Sequence, residues 1–325
     1  MAGTGTAAII GAGMAGLACA RVLVDAGVDV SVIDKGRALG GRIATRSSAF
    51  GAFDHGAVAL SATDGACEHA PYTACYARYL EVAGAQGAAV FWPAAQGWIG
   101  LPGMSGIVNP LAQGLTVKVA TEVTGLAQTA QGWTLQGDGV PEAVFDQVIL
   151  AIPQPQAFSL LQALPDLQHA IGAARMRAVW TAMVRFDQGL PLQADVFRRD
   201  AFHGEGTPIA QAIRTSAKPG RGDRGEAWVL HAATDWTAAH LDLDKPVAAD
   251  LLLAAFFDSF GLDPVAPIWL EGHRWRYGLT EQALGSPFAR DAQRGLAVCG
   301  DWCLGESACD AFVSGSALAA ALLGQ

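Results

Sequence analysis

Near the N-terminus, the pattern of hydrophobic and polar residues predicts a strand, a helix and a second strand. Thr6–Ile10 is an apolar run, and over Ala15–Ala26 apolar residues recur every three to four positions, the spacing of one helix face. Gly27 is typical of the residue that ends a helix. Val28–Ile33 alternates apolar and polar residues and then becomes wholly apolar, as a strand entering a sheet does. Residues 6–34 are therefore predicted to form a βαβ unit.

Further along the chain, the pattern predicts a helix, a β-meander and one more buried strand. Residues 68–87 have helical spacing, and Leu115–Gln136 contains short strand-like segments separated by turn residues. Phe145–Ile152 is a mostly apolar run that is closed by two prolines. The meander and the buried strand are expected to belong to the same domain as the βαβ unit.

A second structural unit is predicted over residues 156–268. It begins with a helix, continues with strands near Ala178–Phe186 and Ala227–Ala233, and ends with a helix over Pro246–Phe260. Between the two strands, residues 218–225 are rich in glycine and charge, which predicts a polar turn or a mobile loop.

The composition favours a folded, soluble protein. The chain has 325 residues, of which 51% are hydrophobic and 16% charged, enough for a large core in two domains or in one domain with an insert. The net charge of -9 and the absence of a basic run argue against a nucleic-acid partner. No stretch of about 18 apolar residues exists, and the N-terminus lacks a basic segment, so we expect neither a membrane span nor a signal peptide. A cytoplasmic location is predicted.

The glycines after the first strand form a phosphate-binding pattern. In Gly11-x-Gly13-x-x-Gly16, the first glycine permits a tight turn, the second lets backbone amides approach a pyrophosphate, and the third lets the helix pack close to the strand. Asp34 follows the second strand, where a carboxylate can accept hydrogen bonds from both ribose hydroxyls. This context predicts dinucleotide binding; the alternative is a glycine-rich turn in a coincidental βαβ unit. The residues predicted to contact the dinucleotide here are Gly11, Gly13, Met14, Ala15, Gly16, Asp34 and Lys35.

A second glycine motif follows shortly after the second strand. Gly40-Gly41-Arg42 resembles the second FAD motif of the flavin amine oxidase superfamily. The resemblance implies that Gly40 and Gly41 let the backbone come near the cofactor, and that Arg42 pairs with pyrophosphate oxygens through its planar fork. The alternative is a loop with a solvated arginine.

A third element carries a histidine. Asp54-His55-Gly56-Ala57 is the counterpart of a superfamily element that lies close to the flavin, and His55, Gly56 and Ala57 are predicted to bind the cofactor. A structural or hydrogen-bonding role is favoured for His55 over a catalytic one, because a single histidine at the start of a strand is not evidence of catalysis.

The C-terminal region resembles the other half of a flavin site in the same superfamily. Gly300-Asp301 follows a buried strand, and the resemblance implies that Asp301 bonds the ribityl chain. A helix beginning near Ser314-Gly315 is expected to point its N-terminus at the N1–C2 carbonyl edge of the flavin, where its dipole stabilises negative charge. The alternative is an ordinary packed Ala/Leu helix. Val123 completes the predicted contacts to FAD, which is expected to be bound non-covalently.

The cysteines form neither a C-x-x-C pair nor a zinc spacing, and no metal site is predicted. They are expected to be free, mostly buried thiols in a reducing compartment. A covalent flavin thioether at Cys303 is the alternative. The six cysteines are Cys19, Cys67, Cys75, Cys299, Cys303 and Cys309.

Beyond the superfamily, the chain resembles renalases and their bacterial relatives. The segments that carry this resemblance are Ile33–Lys35, Gly40–Arg46, Trp98–Ser105, His273–Tyr277 and Val298–Cys303. It implies an oxidase that takes a hydride from dihydronicotinamide nucleotides reduced at the wrong ring carbon and passes it to flavin N5, with O2 reduced to H2O2. The chain departs from the renalase pattern at Gly278-Leu279, at His55 and over Glu306–Asp310, which bears on the substrate and not on FAD.

The predicted fold class is α/β. A Rossmann-like FAD-binding domain of the glutathione-reductase type, with a β-meander, is joined to a smaller α+β substrate domain with a mixed or antiparallel sheet. The FAD-binding domain is expected to take residues 1–85, 113–155 and 269–325. The substrate domain is expected to take an excursion over 86–112 and the unit over 156–268.

The candidate catalytic residues are mostly aromatic. Hydride transfer needs alignment and exclusion of water more than an acid–base pair, and aromatic walls suit a flat ring stacked against a flavin. Arg274 and Arg276 are not expected to share a face with His273 and Trp275 if this segment is a strand. The predicted catalytic set is His273, Trp275, Tyr277, Trp302 and Trp98.

Two alternatives to the renalase-type function stay open. One is an amine oxidase or desaturase on the same scaffold, in which Tyr277 and Trp302 imitate an aromatic pair flanking a substrate amine. The other is a non-catalytic sensor that binds flavin or nucleotide. The expected partners are a dihydronicotinamide nucleotide or an amine, together with O2.

Overall fold

The structure is a computed structural model that describes residues 5–61, 72–191, 201–203, 206–222 and 225–324. Its strands are β1 Thr6–Ile10, β2 Asp29–Ile33, β3 Thr45–Ser48, β4 Gly51–Asp54, β5 Ala89–Trp92, β6 Gly97–Gly100, β7 Thr116–Lys118, β8 Gly125–Thr129, β9 Gly132–Gln136, β10 Gln147–Leu150, β11 Arg175–Phe186, β12 Ala201–His203, β13 Ile209–Arg214, β14 Glu226–Ala232, β15 Trp269–Gln282, β16 Phe288–Asp291 and β17 Leu296–Cys299. Its helices are α1 Met14–Asp25, α2 Tyr72–Ala85, α3 Asn109–Ala112, α4 Gln154–Leu160, α5 Pro165–Ala170, α6 Thr234–Ala239, α7 Lys245–Phe260 and α8 Ala308–Leu322.

The first sheet is built on the predicted βαβ unit. Its order is β16-β17-β10-β1-β2-β7, and all neighbouring pairs are parallel except β16 with β17. β1 and β10 lie at its centre and are almost wholly buried, which is why their sequences read as continuous apolar runs. Helix α1 ends at Asp25, and Gly27 follows with a φ of +89°. The Rossmann-like part of the predicted fold is confirmed.

The second sheet is antiparallel throughout. Its order is β12-β13-β14-β11-β15, and α7 packs on one face, where Leu252 and Phe256 meet Trp180 and Trp228 in a buried cluster. Its other face meets the β3–β4 hairpin through Phe53. The predicted strands near Ala178–Phe186 and Ala227–Ala233 and the helix over Pro246–Phe260 are present as β11, β14 and α7.

The chain rejoins the first sheet later than the predicted domain boundary at residue 269. Trp269–Gln282 forms the 14-residue strand β15, which pairs with β11 in the second sheet. The first strand of the return to the first sheet is β16 at Phe288–Asp291. The β5–β6 and β8–β9 hairpins lie outside both large sheets. The domain boundaries themselves stay a prediction.

Within the described residues, no helix combines the length and the apolar character that crossing a membrane requires. Cys19, Cys75, Cys299 and Cys303 are free, and all but Cys75 are buried. Cys309 is disulfide-bonded, so the prediction of free thiols is wrong at that position. A disulfide depends on the approach of two cysteines in the fold, which spacing along the chain does not show. The prediction for Cys67 lies outside the described residues.

Candidate functional site

The turn between β1 and α1 is shaped by its glycines. Gly11 has a φ of +112°, and a Cβ there would overlap the carbonyl oxygen of Ala151 on the strand side. A Cβ at Gly16 would overlap the carbonyl oxygen of Gly11, so this glycine allows the helix to approach the strand. A Cβ at Gly13 would meet nothing within 4 Å. Two of the three glycines therefore serve packing, and the third borders open space.

The second glycine motif lies beside the first. Gly13 and Gly40 form a parallel β-bridge, and the Gly40 amide donates to the Ala12 carbonyl at 2.9 Å. Gly41 has a φ of +55°, and a Cβ there would come within 3.5 Å of the Gly13 Cα. Gly13 caps α1 without a side-chain hydrogen bond, so the first-turn N–H groups keep no side-chain partner. Free N–H groups at a helix N-terminus are suited to a pyrophosphate.

Asp34 is held at the end of β2. Its Oδ2 accepts the Ala12 amide at 2.6 Å, and its Oδ1 accepts the Gly36 amide at 2.5 Å. Each carboxylate oxygen keeps a second lone pair, which is what hydrogen bonds from ribose hydroxyls require. Lys35 is exposed and lies 3.4 Å from Glu122. Met14 and Ala15, at the start of α1, are buried in one core cluster, and Val123 is buried in another.

Arg42 and Asp301 come together from opposite ends of the chain. The guanidinium donates to both carboxylate oxygens, at 2.7 and 2.5 Å, and to the Gly278 carbonyl at 3.2 Å. Asp301 is buried, and the bidentate pairing neutralises it. Contacts of Arg42 with pyrophosphate and of Asp301 with the ribityl chain stay predictions. The ion pair shows that the two predicted halves of the flavin site do meet.

The last helix begins earlier than predicted. α8 starts at Ala308, and Ser307 caps it: the Ser307 hydroxyl accepts the Asp310 amide at 3.0 Å, and the Asp310 carboxylate accepts the Ser307 amide at 3.0 Å. The expected helix N-terminus near Ser314 and Gly315 is therefore wrong, because this reciprocal cap fixes the start almost two turns upstream. Ser314 instead accepts the Gly300 amide at 2.9 Å.

Gly315 has a packing role inside α8. A Cβ at this position would overlap the carbonyl oxygen of Ala15, so the absence of a side chain lets α8 lie directly against α1. The Ser314 hydroxyl also donates to the Pro287 carbonyl at 2.6 Å, which fastens the start of β16 to the helix. Both residues thus bring the C-terminal motif to the cofactor-binding turn.

A cluster of rings lies where the β3–β4 hairpin meets the second sheet. His55 is buried, and its ring centroid lies 4.9 Å from those of Trp275 and His273. The His55 carbonyl accepts the Trp275 indole N–H at 2.9 Å and lies 3.3 Å from the Nε2 of His231. A Cβ at Gly56 would overlap the Arg42 carbonyl oxygen, so the ring cluster adjoins the Arg42 segment. We call His55, His231, His273 and Trp275 the imidazole cluster.

A polar row crosses the second sheet beneath this cluster. Thr181 on β11 faces His231 on β14 and His273 on β15 in register, and Gln211 on β13 faces His231. The Nδ1 of His231 lies 3.3 Å from the Gln211 side-chain oxygen. The Thr181 hydroxyl and the His55 Nδ1 are buried without a hydrogen-bond partner among the residues that the structure describes. Buried polar atoms of this kind are normally satisfied by water or a ligand.

Burial keeps the imidazole cluster uncharged. It lowers the pKa of His55, His231 and His273 to about 4, and nearby positive charge adds to the effect: Arg46 beside His55, Lys218 beside His231 and Lys245 beside His273. At neutral pH these three rings therefore carry no charge and donate or accept hydrogen bonds as neutral groups.

Of the predicted catalytic residues, the structure brings only His273 and Trp275 together with His55. Tyr277 is half-buried further along β15. Trp302 is fully buried in the core, and its indole N–H donates to the Ile152 carbonyl at 3.0 Å. Arg274 lies over Trp180, on the other face of the sheet, as the strand alternation predicts.

Trp98 packs away from the imidazole cluster. Its ring meets α2, where a Cβ on Gly84 would lie 2.6 Å from it, and it forms an edge contact with Phe91 at 6.0 Å. We expect Trp98→Phe to lower the free energy of unfolding by about 1–3 kcal/mol, because a cavity opens against α2. The KM of an accepted substrate should stay within twofold of wild type, and Phe91→Leu, at an exposed neighbour, serves as the control. A several-fold rise in KM at unchanged stability would contradict this role.

The sequence-based interpretation missed Thr181, His231 and Gln211. His231 and Gln211 interrupt the apolar residues at alternate positions of β14 and β13, and that interruption is the signal that could have found them. Thr181 had no such signal, because Arg177 and Arg185 lie at alternate positions of the same strand. Their convergence depends on the register of three strands, which the pattern alone does not give.

The fold and the glycine turn define a class: proteins with a Rossmann-type dinucleotide-binding domain. Residues 9–69 match the family model described as NAD(P)-binding Rossmann-like domain, and residues 74–323 match the one described as flavin containing amine oxidoreductase. Because the second match covers most of the chain, the protein belongs to the flavin-containing amine oxidoreductase family. FAD, the cofactor of this family, fits the open space at Gly13, the uncapped start of α1 and the carboxylate of Asp34.

Solved structures share the fold at low sequence identity. A protein assigned as a protoporphyrinogen oxidase from Exiguobacterium sp. 255-15 has 14% identity and a TM-score of 0.72, with all of both chains covered. Putrescine oxidase bound to putrescine has 15% identity and a TM-score of 0.68, with 99% of each chain covered. Cyclohexylamine oxidase from Brevibacterium oxydans IH-35A has 13% identity and a TM-score of 0.70, with 99% of this chain and 100% of that one covered.

Proposed function

We propose that the protein is an FAD-dependent oxidase of the renalase type, whose substrates are dihydronicotinamide nucleotides reduced at the wrong ring carbon. FAD supplies the hydride acceptor, and O2 takes the electrons to give H2O2. The chain's own residues have three tasks: to align the dihydropyridine ring, to exclude water and to bind its carboxamide. The imidazole cluster and the polar row beneath it are the groups we assign to these tasks.

The observation that carries the proposal is the chemistry of the imidazole cluster. Its members are flat, half-buried or buried and uncharged at neutral pH, which suits a flat, uncharged dihydropyridine ring. The partnerless Nδ1 of His55 and hydroxyl of Thr181 are hydrogen-bonding groups complementary to a carboxamide, directly or through an ordered water. A hydride leaves the dihydropyridine without prior loss of a proton, so the site needs no strong base.

The alternative is oxidation of an amine, which the structural neighbours favour at the level of fold. Besides an aromatic pair, a substrate that binds as an ammonium is favoured by a carboxylate that pairs with it or by a base that deprotonates it. Imidazoles with a pKa of about 4 are poor bases at neutral pH. Among the described residues, the carboxylates on the segments that form or adjoin the cluster are already paired with cations: Asp54 with Lys218 and Arg221, Glu271 with Arg46, and Asp301 with Arg42. These pairings support the dihydronicotinamide over the amine.

The test is an anaerobic titration of the purified flavoprotein, followed by the visible flavin absorption band. We expect the minor dihydronicotinamide isomers to bleach the band, and ordinary NADH, putrescine and cyclohexylamine to leave it unchanged. Admitting air should restore the band with release of H2O2. Bleaching by an amine instead would favour the amine oxidase alternative. A band that no reductant of either class bleaches would favour a non-catalytic sensor.

A further inference from the structure

A second group of charges lies buried beside the imidazole cluster, and the reaction proposed above does not use it. Asp54, which ends β4, is fully buried. Its Oδ2 accepts the ammonium of Lys218 at 2.9 Å and the guanidinium of Arg221 at 2.8 and 3.1 Å. Its Oδ1 accepts the Thr45 hydroxyl at 2.7 Å and the Met104 amide at 3.0 Å. We call Asp54, Lys218 and Arg221 the ionic junction.

The two cations tie a loop of the second sheet to the cofactor-binding part of the chain. Lys218 also donates to the Val58 carbonyl at 2.6 Å and lies 5.8 Å above the Trp92 ring. Arg221 donates to the carbonyls of Gly100, at 3.0 Å, and Pro102. The expected polar turn is present, but its Lys218 and Arg221 side chains are buried, because they pair with an anion that lies far away in the sequence.

Stability alone does not account for such an arrangement. Removing one anion and two cations from water costs several kcal/mol per ion, and apolar residues of similar volume commonly do as well or better. What a buried ion pair of this kind provides is a fixed position for the groups that form it. Here it fixes the position of Asp54, which immediately precedes His55, Gly56 and Ala57. The Ala57 amide in turn donates to the Arg42 carbonyl at 2.9 Å.

We propose that Lys218 and Arg221 are positioning residues that hold Asp54 and thereby fix the segment Asp54–Ala57 against the FAD site. The ionic junction reaches both sides of the imidazole cluster, since Asp54 adjoins His55 and Lys218 is close enough to His231 to lower the pKa of that histidine. The inference holds for any substrate, because it concerns the segment that meets the cofactor. Its failure is therefore distinguishable from a failure of the proposed function.

The charge of Lys218 offers a second readout. Burial lowers the pKa of Lys218 to about 8, although Asp54 raises it, and Arg221 lowers it further. The charged and titratable groups that face its ammonium are Asp54 on β4, Arg221 on its own loop and His231 on β14. Loss of this proton above pH 8 leaves Asp54 with Arg221 alone, so the segment should be held less firmly in alkaline solution.

The experiment compares Lys218→Met with the double variant D54N/K218M, which keeps the net charge of the ionic junction. FAD affinity is measured by the change in flavin fluorescence on reconstitution of the apo-protein, and the visible flavin spectrum is recorded. We expect both variants to bind FAD about tenfold more weakly or worse, with a shifted spectrum. Arg78→Met, which removes an exposed ion pair on α2, should leave both readouts at wild-type values.

The wild-type protein gives the third arm of the test. Its FAD affinity should fall as the pH rises from 7 to 9.5, and Lys218→Met should show no such fall. A purely structural role would lower stability in urea while leaving the FAD affinity and flavin spectrum of the folded variants unchanged, and that result overturns the proposal. If neither variant folds, a constant wild-type affinity over this pH range overturns it.

Discussion

Gly13→Ala is expected to abolish FAD binding while leaving the apo-protein as stable as wild type. The φ of -81° and ψ of -177° at this residue suit alanine, and the added Cβ meets no protein atom within 4 Å. It would stand in the open space that the pyrophosphate needs, at the start of α1. We expect FAD affinity to fall by about a hundredfold or more, roughly 3 kcal/mol. Flavin fluorescence measures the affinity, and urea unfolding of the apo-protein measures the stability.

Gly16→Ala is the matched control for this prediction. The same added methyl group overlaps the Gly11 carbonyl oxygen inside the protein, so it should destabilise the apo-protein by about 1–3 kcal/mol or more as well as weaken FAD binding. The two variants separate the glycine that serves the cofactor from the glycine that serves packing. If Gly13→Ala binds FAD with wild-type affinity, the pyrophosphate does not lie at this turn.

The glycine turn was predictable from the sequence because its determinants are local. The three glycines lie within six residues, between a strand and a helix whose apolar periods differ, and Asp34 follows at the end of the next strand. Each role follows from one steric fact, such as the overlap that a Cβ at Gly11 would cause. The βαβ unit, the strands β11 and β14 and the helix α7 were predictable for the same reason, since their periodicities lie within single segments. The sequence left the second sheet as mixed or antiparallel, because pairing between distant strands is not local.

The ionic junction was not predictable, although its residues are conspicuous. Lys218 and Arg221 lie in a run of glycine and charge, a composition that normally indicates solvent exposure. They are buried because they pair with the carboxylate of Asp54, which lies more than 160 residues away in the sequence. Nothing local distinguishes a charged loop that meets a buried carboxylate from one that meets water, so the interaction becomes visible only in three dimensions.

The start of α8 was predictable in principle, although the prediction placed it wrongly. Ser307 and Asp310 have the three-residue spacing of a capping pair, and that signal is readable in the sequence. The prediction instead placed the start of the helix further downstream, at the small residues around Ser314 and Gly315. The consequence is chemical, because the free N–H groups at the start of α8 lie near Ala308 and not near Ser314. The N-terminal end of the helix dipole therefore lies near Ala308, and contacts of Ser314 and Gly315 with the flavin stay a prediction.

Acidification from pH 7.5 to pH 5 should destabilise the protein steeply, mainly through the imidazole cluster. A histidine has a pKa of about 6.5 in the unfolded chain, whereas burial holds that of His55 and His231 at about 4 in the folded protein. As the pH falls through 6.5, His55 and His231 bind protons in the unfolded chain but stay neutral in the folded protein, so the unfolded state is favoured. The stabilisation is complete above pH 6.5 and is lost progressively down to about pH 4. The expected loss at pH 5 is about 2 kcal/mol for each of these two histidines.

His231→Gln isolates one of these contributions. Glutamine does not titrate, so the difference in the free energy of unfolding between pH 7.5 and pH 5 should shrink by about 2 kcal/mol relative to wild type. His169→Gln, at an exposed histidine on α5, should leave that difference unchanged. Urea unfolding at both pH values, with saturating FAD, gives the comparison. An unaltered pH dependence in His231→Gln would mean that His231 has the same pKa in the folded protein as in the unfolded chain, near 6.5. The imidazole cluster would then gain positive charge as the pH falls through 6.5, so the uncharged surface on which the dihydronicotinamide proposal rests would be lost in mildly acidic solution.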